Sequence, residues 1–315
     1  MGNFTVAPRP SDVPDAAELL DRRRREFARV DTAAQARKLV DIAIQTDGPI
    51  GIAHFGDPHV DDPGTNIALL ERHVALIGGT EGMFAANVGD LQNLWVGRLA
   101  RLYAEQSTSA RESWVLTEWL VDSLKWLYLI AGNHDMWAGS GNPLEWMART
   151  QPGVIEPHGA RLNLKFPNGR EVRINARHDF RGHSMWNPVH GAAKAAQMGW
   201  RDHVLTCGHT HVTGYMPIKC PASGLISHAI RVASYKHHDR FASQLGLPDG
   251  NMSECVVTVI DPDAPSESGL VTVFLDPEGA AEFLTWKRGR RLIQVAGPAT
   301  KRDPKPKKVP AHARR

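Results

Sequence analysis

Five apolar runs in this chain each break off into a cluster of metal-type polar residues. They are "GIAHFGDPHVDD" at Asp57 and His59, "NVGDLQN" at Asp90, "IAGNHDMW" at Asn133, "INARHDF" at His178, and "LTCGHTHVTG" at His209 and His211. Short apolar runs of this kind read as buried strands. Carboxylates brought together at the end of such a strand repel one another unless a cation lies between them. In open α/β sheets, sites form beyond the carboxyl ends of strands, so residues spread over about 150 positions can converge on one crevice. The chain is thereby confined to folds that bring five strand ends to one edge.

Between these runs the pattern alternates with helical stretches, "LQNLWVGRLARLYAEQ" and "RESWVLTEWLVDSL" among them, which argues an α/β layered fold. Near the start, "DAAELLDRRRREFARVDTAAQARKLVDIAI" has helical periodicity and reads as one or two helices. In the middle, "ARLNLKF" and "REVRINARHDF" flank "PNG", a hairpin signal that adds antiparallel pairing. Later strands are predicted at "HVLTCG", "AIRVASY", "ECVVTVID" and "GLVTVFLD", with a last helix at "AAEFLTWKRGRR". The expected organisation is an N-terminal helical extension over 1–46, a catalytic-type domain over 47–297 and a basic, disordered tail over 298–315.

Composition narrows the class further. The 315 residues are 42% hydrophobic, enough for a sizeable core, and the net charge of +3 is too small to indicate a nucleic-acid or membrane partner in bulk. Three cysteines with no CxxC pair argue against a disulfide framework or a thiolate zinc site, and fit reduced thiols in a cytoplasm. The most apolar segment, "WLVDSLKWLYLIAG", is interrupted by Asp122 and Lys125, which disfavours a membrane span. Val6 stands where a myristoylation signal requires Ser or Thr.

The candidate ligands are carboxylate, imidazole and one amide oxygen, a set that suits Mn, Fe, Zn or Ni and excludes a structural zinc cage. Asp57, His59, Asp90, Asn133, His178, His209 and His211 make seven groups, too many for one ion. They fit two five- or six-coordinate divalent ions with open positions if one carboxylate bridges them. Glycines directly precede Asp90, Asn133 and His209, which lets the backbone turn sharply at each strand end.

The ordered set DxH, GD, GNHD, a lone His and GHxH resembles the calcineurin-like metallophosphoesterase superfamily, over residues 50–260. The resemblance implies a sandwich of two mixed β-sheets flanked by helices, with two divalent ions, Mn2+ foremost. It implies that Asp57, His59 and His211 hold one ion, that Asn133, His178 and His209 hold the other, and that Asp90 bridges them. His134 would donate a proton to the phosphoryl oxygen or leaving group, its ring fixed by Asp135. The implied reaction is phosphoester hydrolysis by a metal-bound hydroxide attacking phosphorus in line.

Other readings stand beside these. His183 is the alternative to His178 as a ligand. The loop "DFRGHSMWNPVHG" is either a plain connection or a source of substrate contacts, with Arg181 as phosphate clamp, His183 and Asn187 as donors and Trp186 as stacking plate. Asp61 and Asp62 lie beside filled ligand positions, and Trp137 is the tryptophan placed to border the site. The basic run Arg22–Arg25 and the basic tail either are solvated or track a phosphate backbone, which favours a phosphodiesterase or nuclease acting on nucleic acid or a nucleotide over a phosphomonoesterase. From a different class, a non-catalytic metal-binding or nucleic-acid-binding scaffold would keep the fold without turnover. Oligomeric state is not readable from the chain.

Overall fold

The computed structural model describes residues 3, 5, 7, 12–93, 106–136, 143–244, 246 and 252–296. In chain order the elements of its first half are α1 (Ala16–Arg37), β1 (Val40–Ala43), β2 (Ile50–Phe55), α2 (Ile67–Gly79), β3 (Met83–Asn87), α3 (Ala110–Ser123), β4 (Trp126–Ala131), α4 (Pro143–Met147) and β5 (Val154–Pro157). There follow β6 (Gly159–Lys165), β7 (Glu171–Arg177), α5 (His190–Met198), β8 (Val204–Cys207), β9 (Gly214–Lys219), β10 (Ile226–Arg231), α6 (Arg240–Gln244), β11 (Cys255–Ile260), α7 (Glu267–Leu270), β12 (Val271–Phe274) and α8 (Pro277–Ala296).

The strands form two six-stranded mixed sheets, ordered β12-β11-β2-β3-β4-β5 and β1-β6-β7-β8-β10-β9. In the first, β2, β3, β4 and β5 run parallel. In the second, β7, β8 and β10 run parallel. Every residue of β2 and β4 is buried, as expected of strands covered on both faces. Ile50 and Ile52 pack between the sheets with Leu162, Ile174 and Val204, while Ala53 and Phe55 face Leu70, Leu120 and Leu284 of α2, α3 and α8. Phe55 meets Trp126 edge-on at 5.4 Å, so Phe55→Ala would remove about 3–5 kcal/mol of stability. On the far side, α5 covers the second sheet through Ala192, Ala193 and Ala196 against Leu205 and Ala229.

The helical reading of residues 38–44 is corrected: α1 stops at Arg37, and Val40–Ala43 is an edge strand pairing in parallel with Leu162–Lys165. "VDIA" alternates half-buried and exposed residues, a two-residue period that the longer helical window masked. The second sheet thus reaches into the segment expected to be a helical extension. Asp15 caps α1, and no residue of that helix is buried. The "PNG" hairpin forms as expected, but only Gly169 takes a positive φ (+82°), which makes a three-residue loop of the glycine-bulge type. Most of the helix expected at "LQNLWVGRLARLYAEQ", together with Trp137 and the 298–315 tail, lies outside the described residues.

A polar set sits inside the inter-sheet core. His54 contacts Tyr128 Oη at 2.5 Å and Thr258 Oγ1 at 2.9 Å, one partner for each ring nitrogen. Burial pushes its pKa down to about 3, and burial likewise holds His73, bonded to Tyr235 Oη, at about 4. Both imidazoles are therefore neutral in the folded chain at pH values where the unfolded chain, with an ordinary value of 6.5, takes up protons. The unfolded state binds more protons between these limits, so stability is fully present above 6.5 and falls as pH drops through about 4. Urea unfolding followed across this range should show a falling midpoint, and His54→Gln should flatten part of the slope. A midpoint independent of pH would count against the neutral buried pair.

Candidate metal centre

The parallel runs β2-β3-β4 and β7-β8 end at one edge of the sandwich, and each end passes directly into a candidate ligand. Asp57 and His59 follow β2, Asp90 follows β3, Asn133 follows β4, His178 follows β7, and His209 and His211 follow β8. Asp57, His59, Asp90 and His178 form a buried floor. Asn133 and His209 are exposed at the rim, with His134 and His211 between.

Two sub-clusters are visible in the distances. In one, His59 Nε2 lies 3.2 Å from His211 Nε2, which lies 3.6 Å from Asp57 Oδ2. In the other, His178 Nε2 lies 2.9 Å from Asn133 Oδ1 and 3.0 Å from His209 Nδ1. Asp90 Oδ2 stands between them, 3.2 Å from His178 Nε2 and 4.0 Å from His59 Nε2. Its other oxygen, Oδ1, accepts the backbone N–H of His134 at 2.8 Å. Asp90, His178 and His209 offer ligand atoms all within 4.8 Å of one another.

These spacings fit a divalent ion. Two ligand atoms about 2.1 Å from a common cation are about 3.0 Å apart at right angles and about 3.4 Å apart in a tetrahedron. Asp57 Oδ1 and His59 Nδ1 are buried without a hydrogen-bond partner among the described residues. Leaving a charged group so costs about 1–3 kcal/mol or more, which a bound cation offsets for the carboxylate. The electrostatics point the same way. Burial opposes protonation of His178, yet the charges of Asp90 and Asp57 outweigh it and carry its pKa up to about 10, so the floor draws positive charge to its centre. Burial raises Asp57 to about 6, against the pull of His178 and His211.

The backbone is shaped for this convergence. Among the described residues, six other than glycine have positive φ, and five of them are Asp57 (28°), His59 (40°), Asp90 (50°), His209 (71°) and His211 (55°). Such conformations are rare away from glycine and cluster at functional sites. The sixth, His158 (67°), joins the sheets beneath the cluster: its N–H donates to Ala131 O and its carbonyl accepts from His178 N. The glycines before the ligands act by leaving room for a ligand from another strand. A Cβ on Gly132 would lie 2.1 Å from Asp90 Oδ1, one on Gly208 2.5 Å from Asp57 Oδ1, and one on Gly89 2.3 Å from His178 Nδ1.

Asp135 is bonded to the backbone of two loops. Its Oδ1 accepts from Leu91 N at 3.0 Å and its Oδ2 from Gly132 N at 2.8 Å, so it staples the β3 and β4 loops together. Both oxygens are directed at backbone N–H groups. Burial and the Asp90 charge push the Asp135 carboxyl up to about 7.

The β7–α5 loop projects outward. Trp186 and Met185 are each 89% exposed, and Arg181 and His183 are exposed, His183 lying 3.7 Å from Asp179. His178, not His183, lies in the buried floor beside Asp90 and Asn133. Asn187 accepts Val189 N through Oδ1 at 3.1 Å, a turn contact leading into α5. Asp61 is buried and accepts from Asn93 N and Gln106 Nε2, while Asp62 accepts from Gly64 N.

Sequence reasoning passed over a support that follows from β10. Arg231 is buried, and its guanidinium donates to Pro188 O, Gly208 O, Thr210 Oγ1 and Asp179 Oδ1, bracing the His209–His211 loop. Ser234 donates to Asp57 O at 2.6 Å. Lys236 and Asp239 follow. A signal was present: "AIRVASYKHHD" carries charged residues into an otherwise buried run, where charges are rarely tolerated without partners.

Gly132→Ala tests the packing directly. Its Cβ would also lie 2.6 Å from Asp90 N, a backbone atom that cannot swing aside. The expected outcome is Mn2+ affinity lowered about 10- to 100-fold with an unchanged circular dichroism spectrum. Unaltered Mn2+ affinity would show that Asp90 does not depend on this close approach.

No protein-family model and no curated protein matches the chain. Solved structures do. Vps29 from Entamoeba histolytica complexed with Zn2+ is similar at 11% identity and TM-score 0.37, covering 71% of this chain and 97% of that one. Vacuolar Protein Sorting 29 from Cryptosporidium parvum is similar at 14% and 0.40, covering 72% and 97%. The calcineurin-like phosphoesterase YfkN from Bacillus subtilis is similar at 13% and 0.36, covering 79% and 99%. Two mixed sheets flanked by helices, with the motifs at their strand ends in this order, match the sandwich that the sequence resemblance implied.

Proposed function

We propose that the protein is a dinuclear metal-dependent phosphoester hydrolase that prefers phosphodiesters, those of nucleic acids or nucleotides, to phosphomonoesters. The observation that carries the reading is the position of Asp90 Oδ2 between two sub-clusters of ligand atoms. On this reading Asp57, His59 and His211 hold one ion, Asn133, His178 and His209 hold the second, and Asp90 bridges them. Divalent ions held there, Mn2+ foremost with Fe, Zn or Ni accepted by the same ligands, would supply a nucleophile from water and neutralise charge on the phosphoryl oxygens.

The chain's own groups support the roles assigned. Val88 O lies 3.1 Å from His178 Nδ1, so that nitrogen carries the proton of a neutral ring and the Nε2 lone pair faces the site. Before any cation binds, Asp90 is held ionised: burial opposes this, but the nearby protonated His178 outweighs it, and a bound cation would take the place of that proton. The His134 ring stands edge-on to His59 at 5.1 Å, and its backbone N–H donates to Asp90 Oδ1. Burial lowers its pKa, so at neutral pH it is a neutral imidazole able to donate one N–H to a phosphoryl oxygen or to the leaving group.

The preference for phosphodiesters rests on the basic surface. Arg22–Arg25 lie on the uncovered α1, and a cavity of about 540 Å3 is lined by Arg37, Lys38, Arg161, Arg177 and Trp200. Cationic and aromatic side chains together suit phosphates and bases. A cytoplasmic setting accords with the free thiols of Cys207, Cys220 and Cys255. Among the described residues, no helix is long and apolar enough to cross a membrane.

Hydrolysis of bis-p-nitrophenyl phosphate should exceed that of p-nitrophenyl phosphate with Mn2+ added, and monoester preference would reverse the substrate assignment. His134→Ala should lower kcat about 100- to 10,000-fold while metal content measured by elemental analysis is unchanged. Loss of metal in that variant would make His134 a ligand. Asp90→Asn should weaken both ions together, and loss of only one would remove the bridge.

A further inference from the structure

His211 is held from both sides. Its Nε2 faces His59 Nε2 at 3.2 Å and Asp57 Oδ2 at 3.6 Å, and its Nδ1 lies 3.4 Å from Asp239 Oδ2. The other oxygen of Asp239 lies 3.2 Å from Lys236 Nζ, and that ammonium lies 3.1 Å from Asp62 Oδ2. Lys236 is only 4% exposed, so its charge is confined between the two carboxylates.

The clamp is anchored in the loop that carries Asp57 and His59. Lys236 pairs with Thr65 in an isolated antiparallel bridge, and Thr65 Oγ1 donates to His59 O at 2.8 Å. Lys236 N donates to Ser234 Oγ at 3.0 Å, and that hydroxyl donates to Asp57 O at 2.6 Å. Asp62 is fixed in turn by Gly64 N and by Asn93 Nδ2. The segment after β10 and the loop after β2 are therefore tied together, with Asp239, which leads into α6, set against His211.

We propose that Asp239, held in place by Lys236, is the positioning residue for His211 and governs cation occupancy of the Asp57–His59–His211 half of the centre, leaving the other half independent of it. This rests on the dinuclear reading above. An imidazole donates from one nitrogen and binds a cation through the other, so a carboxylate on Nδ1 keeps Nε2 free for the site and makes it more basic. His178, in the other half, has the neutral Val88 carbonyl beside its Nδ1 instead and lies on a different strand, which is why the effect is confined to one ion.

The test uses the full-length protein and Mn2+ alone. Stripped wild type titrated with Mn2+ by calorimetry should take up two equivalents. Asp239→Asn keeps the shape and removes the charge, and should weaken one equivalent about 10- to 100-fold while the second is unchanged. In the cation-free proteins, long-range nitrogen–proton spectra should show the His211 ring protonated on Nδ1 in wild type and distributed between both nitrogens in the variant. If that variant fails to fold, Asp239→Glu, which keeps the charge but displaces it, should weaken the same equivalent. Two unchanged equivalents together with an unchanged His211 tautomer would overturn the proposal, as would equal weakening of both ions. A wild type that binds fewer than two equivalents would instead overturn the dinuclear reading, and the tautomer comparison would still decide the role of Asp239.

Discussion

The approach of ligands from different strands to within about 3 Å of one another is the constraint on which the rest of this structure depends. Strands in a sheet are spaced too widely for their side chains to do this on their own. The gap is closed by bending the chain at the strand ends into left-handed turns at Asp57, Asp90 and His209, and by deleting side chains where another strand's ligand must pass. Each such turn costs about 1–3 kcal/mol, so the surrounding bonds must over-determine it. Those bonds are present: His59 N to Asp90 O, Val60 N to Leu91 O, Gly208 N to His178 O, and the two N–H groups on Asp135.

That architecture explains what the sequence revealed and what it withheld. The strands that end in ligands were legible, because a buried parallel strand is a continuous apolar run and its end is marked by an abrupt change to polar residues. β1 was not legible, because an edge strand of four residues next to a long helix contributes only one two-residue period. β5 and β9, with their partly buried residues and a proline in each, carry equally weak signals. The seven candidate ligands were gathered by order alone, since spacing along the chain says nothing about which strands are neighbours.

Roles that depend on direction rather than identity were harder to read. Asp135 directly follows His134, and nothing in the sequence announces its bonds to a second loop. Its carboxylate turns inward to the backbone of the β3 and β4 loops. Arg231 and Lys236 were hidden for the opposite reason. Each lies more than twenty residues from the nearest ligand-bearing strand end in some of its contacts, Arg231 to Gly208 for instance, and only the folded sheet brings them together.

Each sub-cluster of the centre draws on both sheets. Asp57 and His59 come from the first sheet and His211 from the second; Asn133 comes from the first, and His178 and His209 from the second. The apolar layer between the sheets sets their separation through residues such as Ile52, Ile130 and Ile174, but apolar contacts are non-directional and tolerate sliding. Directional bonds therefore have to set the register at the site edge, and His158, bonded to Ala131 on one side and to His178 on the other, is placed to do so. The polar His54–Tyr128–Thr258 set lies within the first sheet and cannot serve in this way. A cation held by ligands from both sheets would add the strongest directional link between them. Binding and the docking of the two sheets are then parts of one equilibrium, in which any change that lets the sheets slide weakens the centre and any ion that fills it stiffens the fold.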